Sequence, residues 1–227
     1  MAGETPATWG AIFDWDGVVI DSSRCHEESW ERLAREEKRA LPEGHFQAGF
    51  GRKNEIIIPE ILDWSRDTAE IERLSLRKEE LYRSVVRERG VEALPGVRAW
   101  LERLRDAGVP CVIGSSSHRV NIELTIGRID LASFFRDMVT SEDVRLGKPN
   151  PEVFLKAAAR ISRFPERCVV FEDAFSGLQA ARNGGMRCVA VATTNSAESL
   201  TGHAERIVHR LDEMQPAELA AWFSLKT

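Results

Sequence analysis

Five short apolar runs, at residues 9–13, 110–114, 137–140, 168–171 and 187–191, set the rhythm of this chain, and each reads as a buried strand. Segments with helical spacing lie between most of them. At 96–107, Val97, Trp100, Leu101 and Leu104 share one face, and Gly108 follows as a stop. Residues 151–160 open on Pro151 and carry Val153, Phe154, Ala157 and Ala158. A shorter amphipathic helix at 176–182 ends near Gly184-Gly185. Strands alternating with helices of this length specify an α/β fold, with a parallel sheet covered on both faces.

One region breaks the rhythm. From Asp21 to about Glu92 no convincing strand occurs. Residues 24–39 and 67–89 read as long, charge-rich amphipathic helices, and 41–52 between them is richer in turn residues. The Leu94-Pro95-Gly96 turn marks the return to the sheet. The expected organisation is an α/β core from 1–21 and 93–227, with a helical module at 22–92 inserted after the first strand.

At 227 residues the chain can bury a sizeable core, and 43% hydrophobic with 30% charged residues is ordinary for a globular protein. A net charge of −5 leaves no basic excess for nucleic acid, yet permits a small phosphorylated ligand held by a few local cations. Cys25, Cys111, Cys168 and Cys188 form no CxxC pair and read as small buried hydrophobes. Residues 1–10 show no basic-then-apolar leader pattern. No apolar run approaches the roughly 18 to 20 residues that a membrane helix needs. These features lead to the expectation of a cytoplasmic protein, monomeric and without a membrane partner.

In a sheet of this kind ligands bind beyond the C-terminal ends of the strands. The first run exits into Asp14-Trp15-Asp16-Gly17, the second into Ser115-Ser116-Ser117, and the fourth into Glu172-Asp173. Beyond the third lies Gly147-Lys148-Pro149. Asp14 and Asp16 start out on the same side of an extended chain, and two carboxylates that close call for a cation or a shared proton. Trp15 between them faces away and reads as a packing residue.

Phosphoryl transfer needs this set of groups. Asp14, Asp173 and a backbone carbonyl are hard oxygen ligands suited to Mg²⁺. A carboxylate can attack phosphorus, a hydroxyl and an ammonium (Ser115, Lys148) can hold phosphate oxygens, and Asp16 can shuttle the proton.

The four segments resemble, in order, the four motifs of the haloacid dehalogenase superfamily: Asp14-Trp15-Asp16-Gly17-Val18, then 112–115, Lys148-Pro149 and Phe171-Glu172-Asp173. The flanking residues are similar to its β-phosphoglucomutase-like branch, which contains many sugar-phosphate phosphatases. The resemblance implies a Rossmann-like core with a helical cap. It makes Asp14 the nucleophile and a metal ligand, and Asp16 the general acid/base with its main-chain carbonyl on the metal. It assigns Ser115 and Lys148 to the phosphate, Ser116 to the substrate, Asp173 to Mg²⁺, and Glu172 to ligating or orienting the ion. His26 matches a histidine at the cap hinge. Gly51, Arg52, Lys53 and Asn54 fall in the cap's substrate-specificity loop.

The implied activity is Mg²⁺-dependent hydrolysis of a small phosphorylated metabolite, a sugar phosphate, through an aspartyl phosphate. A phosphosugar mutase shares the first half-reaction. Mutases carry an arginine where Asn54 stands and a lysine where Phe50 stands, so both positions favour hydrolysis. A dehalogenase needs no metal and leaves Asp16 and Asp173 unexplained. A phospho-accepting signalling receiver uses similar groups, but is shorter and lacks the helical insertion. No GxxxxGK[ST] nucleotide loop occurs.

Overall fold

The computed structural model describes residues 7–49 and 51–224. Phe50 and residues 1–6 lie outside this range, and with them the Phe50 substitution and most of the N-terminal segment considered above.

β1 (Gly10–Phe13) is central in a parallel sheet. Its partners are β2 (Cys111–Gly114), β3 (Phe135–Val139), β4 (Cys168–Glu172), β5 (Arg187–Val191) and β6 (Arg206–Val208), in the order β3-β2-β1-β4-β5-β6. Ala11 sits beside Cys111 on one side and Val169 on the other. Every residue of β1, β2 and β4 is buried, as a strand covered on both faces requires. The order of strands reverses between β1 and β4. Loops leaving these neighbours part in opposite directions, and a crevice opens at their C-terminal ends.

Between β1 and β2 the chain forms α1 (Ser23–Glu37), α2 (His45–Gly49), α3 (Asn54–Ile56) and α4 (Thr68–Arg89), with a wider helical turn at Ile57–Ile61 after α3. Asp67 starts α4 by accepting the Glu70 N–H at 2.9 Å. α1 lies along α4, and Trp30, Leu33, Ile58, Leu62, Leu74 and Leu81 give this cap an apolar core of its own.

The sheet's two faces are covered separately because side chains alternate along each strand. Phe13, Ile113 and Phe171 pack under α5 (Val97–Asp106) and α6 (Arg119–Ile129), through Trp100, Leu101, Leu104, Ile122 and Ile126. Ile12, Val112 and Val170 pack under α7 (Glu152–Arg160) and α8 (Phe175–Asn183), through Phe154, Ala157, Leu178 and Ala181. A short α9 (Pro216–Ala220) closes the first face through Leu219.

The five anticipated strands are present, with β3 starting two residues earlier than its apolar run. α6 and β6 were not anticipated. α6 buries Asn121 and Thr125 beside Ile122 and Ile126, which dilutes its apolar repeat, and β6 has only three residues. Trp15 packs away from its flanking aspartates. Its indole N–H donates to Thr125 Oγ1 at 3.0 Å, and its ring meets Phe135 edge-on. All four cysteines are free and buried. Among the described residues no helix is long and apolar enough to cross a membrane.

Candidate active site

Asp14 is the first residue past β1, and its N–H donates to Phe171 O of β4 at 3.0 Å, which fixes it at the crevice. Lys148 Nζ lies 2.9 Å from Asp14 Oδ1 and donates to Glu172 Oε1 at 2.6 Å. Glu172 Oε2 accepts the Ala174 N–H at 2.6 Å. All three side chains are buried. Burial lifts the Asp14 carboxyl to about 7, with Glu172 and Asp16 adding to the rise and Lys148 opposing it. Burial disfavours the Lys148 ammonium, but Asp14 and Glu172 outweigh it and raise its proton affinity.

Behind this pair stands Asp173. One oxygen each from Asp14, Glu172 and Asp173 lie within 4.8 Å of one another, all buried. Asp173 Oδ1 is buried without a hydrogen-bond partner. Burial, then Glu172 and Asp14, push its carboxyl well above the usual range. Three converging carboxylates, those of Asp14 and Asp173 each with a buried oxygen that accepts no hydrogen bond, form a hard-oxygen donor set that fits Mg²⁺. The backbone makes room for it. A β-carbon on Gly17 would collide with the Asp173 carboxylate, and Gly17 takes a φ of +79°. A β-carbon on Gly177 would collide with Glu172. The glycine of the Asp-x-Asp-Gly signature is therefore the seat of the third acid.

The loop after β5 braces this arrangement. Thr194 Oγ1 donates to Asp173 Oδ2, Asn195 Nδ2 to Asp173 O at 2.8 Å, and Thr193 Oγ1 to Gly17 O at 2.5 Å.

The Asp16 carboxylate lies outside the acidic cluster. Oδ1 accepts from Ser22 Oγ at 2.5 Å and faces His26 Nε2 at 3.2 Å, while Oδ2 accepts from Ser117 Oγ. Burial alone would raise its carboxyl, but His26, Ser117 and Ser22 more than offset that and hold it at about 2. Among the described residues no backbone N–H donates to the Asp16 carbonyl, which leaves that oxygen open.

A pocket opens over Asp14 and Asp16 between core and cap. Ser115, Ser116, Ser117 and His118 line its floor with them, and His26, Gly51, Arg52, Lys53, Asn54, Lys78 and Glu79 line the cap side. Every residue assigned from sequence to substrate or acid/base work thus meets at one place, and Lys148, Glu172 and Asp173 lie buried beneath. Two placements add detail. Lys53 Nζ donates to Ser141 O at 2.9 Å and Val144 O at 3.2 Å, so its charge ties the cap loop to the core. Asn54 is buried and its amide nitrogen serves the cap. Arg52 is exposed.

Sequence reasoning missed Lys78 and Glu79, adjacent residues of α4 that are 2% and 5% exposed. Lys78 Nζ donates to Glu79 Oε1 at 2.9 Å and faces His26 Nδ1 at 2.8 Å. A continuous polar relay runs from Asp16 through His26 and Lys78 to Glu79. Their signal is faint, because on a charge-rich helix such residues read as a solvated face. Thr194 and Asn195 were legible in principle, since they follow the fifth apolar run as Asp14 follows the first.

A parallel sheet of this strand order, acids at its central exits and a helical cap over them define a capped α/β hydrolase. The chain belongs to the haloacid dehalogenase-like hydrolases, whose family model matches residues 10–185. It is 39% identical over 213 residues to a chloroplastic 5-amino-6-(5-phospho-D-ribitylamino)uracil phosphatase of Arabidopsis thaliana, covering 92% of this chain and 56% of that protein. It is 31% identical to the fructose-1-phosphate phosphatase YqaB of Escherichia coli, over 80% of this chain and 95% of that one. A crystal structure of β-phosphoglucomutase from Clostridium difficile superposes with a TM-score of 0.82 at 22% identity, covering 96% of both chains, which shows the shared fold.

Proposed function

We propose that the protein is a Mg²⁺-dependent phosphatase of small phosphorylated metabolites, sugar phosphates foremost, working through an aspartyl phosphate. One observation carries this reading. Asp14 combines a paired ammonium 2.9 Å away, two further acids within 4.8 Å and an open face on a cap-covered pocket. Asp14, Asp173, Glu172 and the Asp16 carbonyl would hold the ion, which supplies charge neutralisation between phosphate and carboxylate.

Ser115 and Lys148 hold the phosphate oxygens while the Asp14 carboxylate attacks phosphorus in line. The P–O bond to the leaving alcohol breaks, and Asp16 gives that oxygen a proton. A bound phosphate adds negative charge beside Asp16 and raises its proton affinity, the direction its acid role needs. Asp16 then takes a proton from a water that attacks phosphorus; the P–O bond to Asp14 breaks, inorganic phosphate leaves and the Asp14 carboxylate is restored. Cap closure keeps bulk water out.

The named relatives guide the choice of probes. A screen of fructose 1-phosphate, the phosphoribitylamino-uracil and other phosphorylated metabolites, with and without Mg²⁺, should yield Mg²⁺-dependent phosphate release. Asp14→Asn should lower the rate by about three orders of magnitude or more. Intact turnover in that variant sinks the assignment. With β-glucose 1-phosphate, free phosphate rather than glucose 6-phosphate is expected, which separates hydrolysis from mutase transfer.

A further inference from the structure

Glu79 occupies a place where the pocket's cap wall would otherwise offer donors. Asn54 Nδ2 donates to Glu79 Oε1 at 2.8 Å and to Ser75 Oγ at 3.1 Å. Both amide hydrogens are thereby spent, and only the acceptor oxygen of Asn54 is left for a ligand. Lys78 spends one donor on Glu79 and directs another at His26. Asn121 of α6 donates its amide to Glu79 Oε2, and Arg83 holds the other end of that amide at 3.0 Å. The carboxylate is therefore fixed from three sides, and Lys78 above all, with the Asn54 hydrogen bond, holds it ionised against burial. What Asn54 and Glu79 present to the pocket is acceptor oxygen.

A phosphate group is itself an array of acceptors and binds only where donors or cations remain free. Hydroxyl and N–H groups are donors and suit such a wall. Arg52 also lines the pocket, but it is exposed, and water and salt screen its charge.

We propose that Glu79, by taking an amide hydrogen of Asn54 and pairing the charge of Lys78, makes the cap wall an acceptor face that selects monophosphates with hydroxyl- or N–H-bearing leaving groups and turns away leaving groups carrying a second phosphate. The inference rests on the phosphatase reading above and names the substrate class of that site.

The test compares kcat/KM for matched pairs: fructose 1-phosphate against fructose 1,6-bisphosphate, and glucose 6-phosphate against glucose 1,6-bisphosphate. The native enzyme should prefer the monophosphate of each pair by about tenfold or more. Glu79→Gln replaces an acceptor with a donor and frees Lys78, so the preference should shrink by about tenfold. The ratio within one variant does not depend on how much of it is folded. If Glu79→Gln is insoluble, Asn54→Lys sets a cation against the same carboxylate and should shrink the preference in the same direction. Equal native use of both partners, or a ratio unmoved by the soluble variant, overturns the inference and leaves the phosphatase standing. So does turnover of the bisphosphates alone. No phosphate release from any compound overturns both.

Discussion

Lys78 Nζ stands 2.8 Å from His26 Nδ1, and His26 Nε2 stands 3.2 Å from Asp16 Oδ1. An ammonium has only donors, so Nδ1 must accept and the ring proton sits on Nε2, aimed at Asp16. Lys78 on the cap thus sets the tautomer of the group that orients the proposed acid/base on the core.

Replacing Lys78 by Met removes the donor that fixes the His26 ring, so the imidazole no longer holds Asp16 in one orientation. The variant should lose kcat by on the order of tenfold or more, with a smaller change in KM. Steady-state kinetics of both proteins check this, and an unchanged kcat counts against the relay.

The acidic cluster makes metal binding and pH act together on stability. The folded Asp14 carboxyl, at about 7, lies above its ordinary 3.8. A raised carboxyl binds its proton more tightly in the folded state, so its stabilising contribution is full below 3.8 and is lost as pH rises through 7. The metal-free protein should therefore melt lower at pH 8 than at pH 5.5. Mg²⁺ at a hundred times its Kd should restore about 2.7 kcal/mol, with a larger rise in melting temperature at pH 8 than at pH 5.5. Asp14→Asn should flatten this dependence. Thermal melts with Mg²⁺ and with EDTA at the two pH values measure it.

The acids and the serine of this site that were legible in the sequence share one property: each follows a continuous apolar run. Asp14, Ser115 and Asp173 had to lie at strand exits once the runs were read as parallel strands. Lys148 was placed by its motif. Lys78 and Glu79 were illegible because their burial comes from α1 and the core closing over α4, not from the α4 pattern, where charged residues surround them. Asn121 escaped for a related reason. A polar residue buried on α6 weakens the very periodicity that would have revealed the helix. Sequence period reports which face is apolar, and it says nothing about charges that are buried because they are paired.

Glu79 supplies a second pH signature, of opposite sign. Burial opposes its charge, but Lys78 first, with the Asn54 hydrogen bond, holds its carboxyl at about 2 against an ordinary 4.5. A depressed carboxyl stabilises the fold above 4.5, and that contribution is lost as pH falls toward 2. Its size is about 3 kcal/mol. Urea unfolding between pH 6 and pH 3 should show the native protein losing stability more steeply than Glu79→Gln. Parallel slopes would mean the carboxylate is not held in its charged form.

Lys53 crosses from the cap loop to the core, and its ammonium donates to Ser141 O and Val144 O. A β-carbon on Gly147 would come within 3.2 Å of the Lys53 stem, so the core loop is shaped to receive it. Removing the ammonium while keeping the stem, as in Lys53→Met, breaks charge-assisted hydrogen bonds worth about 1–3 kcal/mol in this partly buried setting. That loss falls on cap closure and not on phosphorus chemistry, because Lys53 touches neither Asp14 nor Asp16. KM should rise by about tenfold or more while kcat at saturating substrate changes little. Lys53→Arg, which can still reach carbonyl oxygens, should recover part of the difference. Steady-state kinetics of the three proteins on one substrate decide it. A fall in kcat with KM unchanged would place Lys53 in the chemical step instead of the latch.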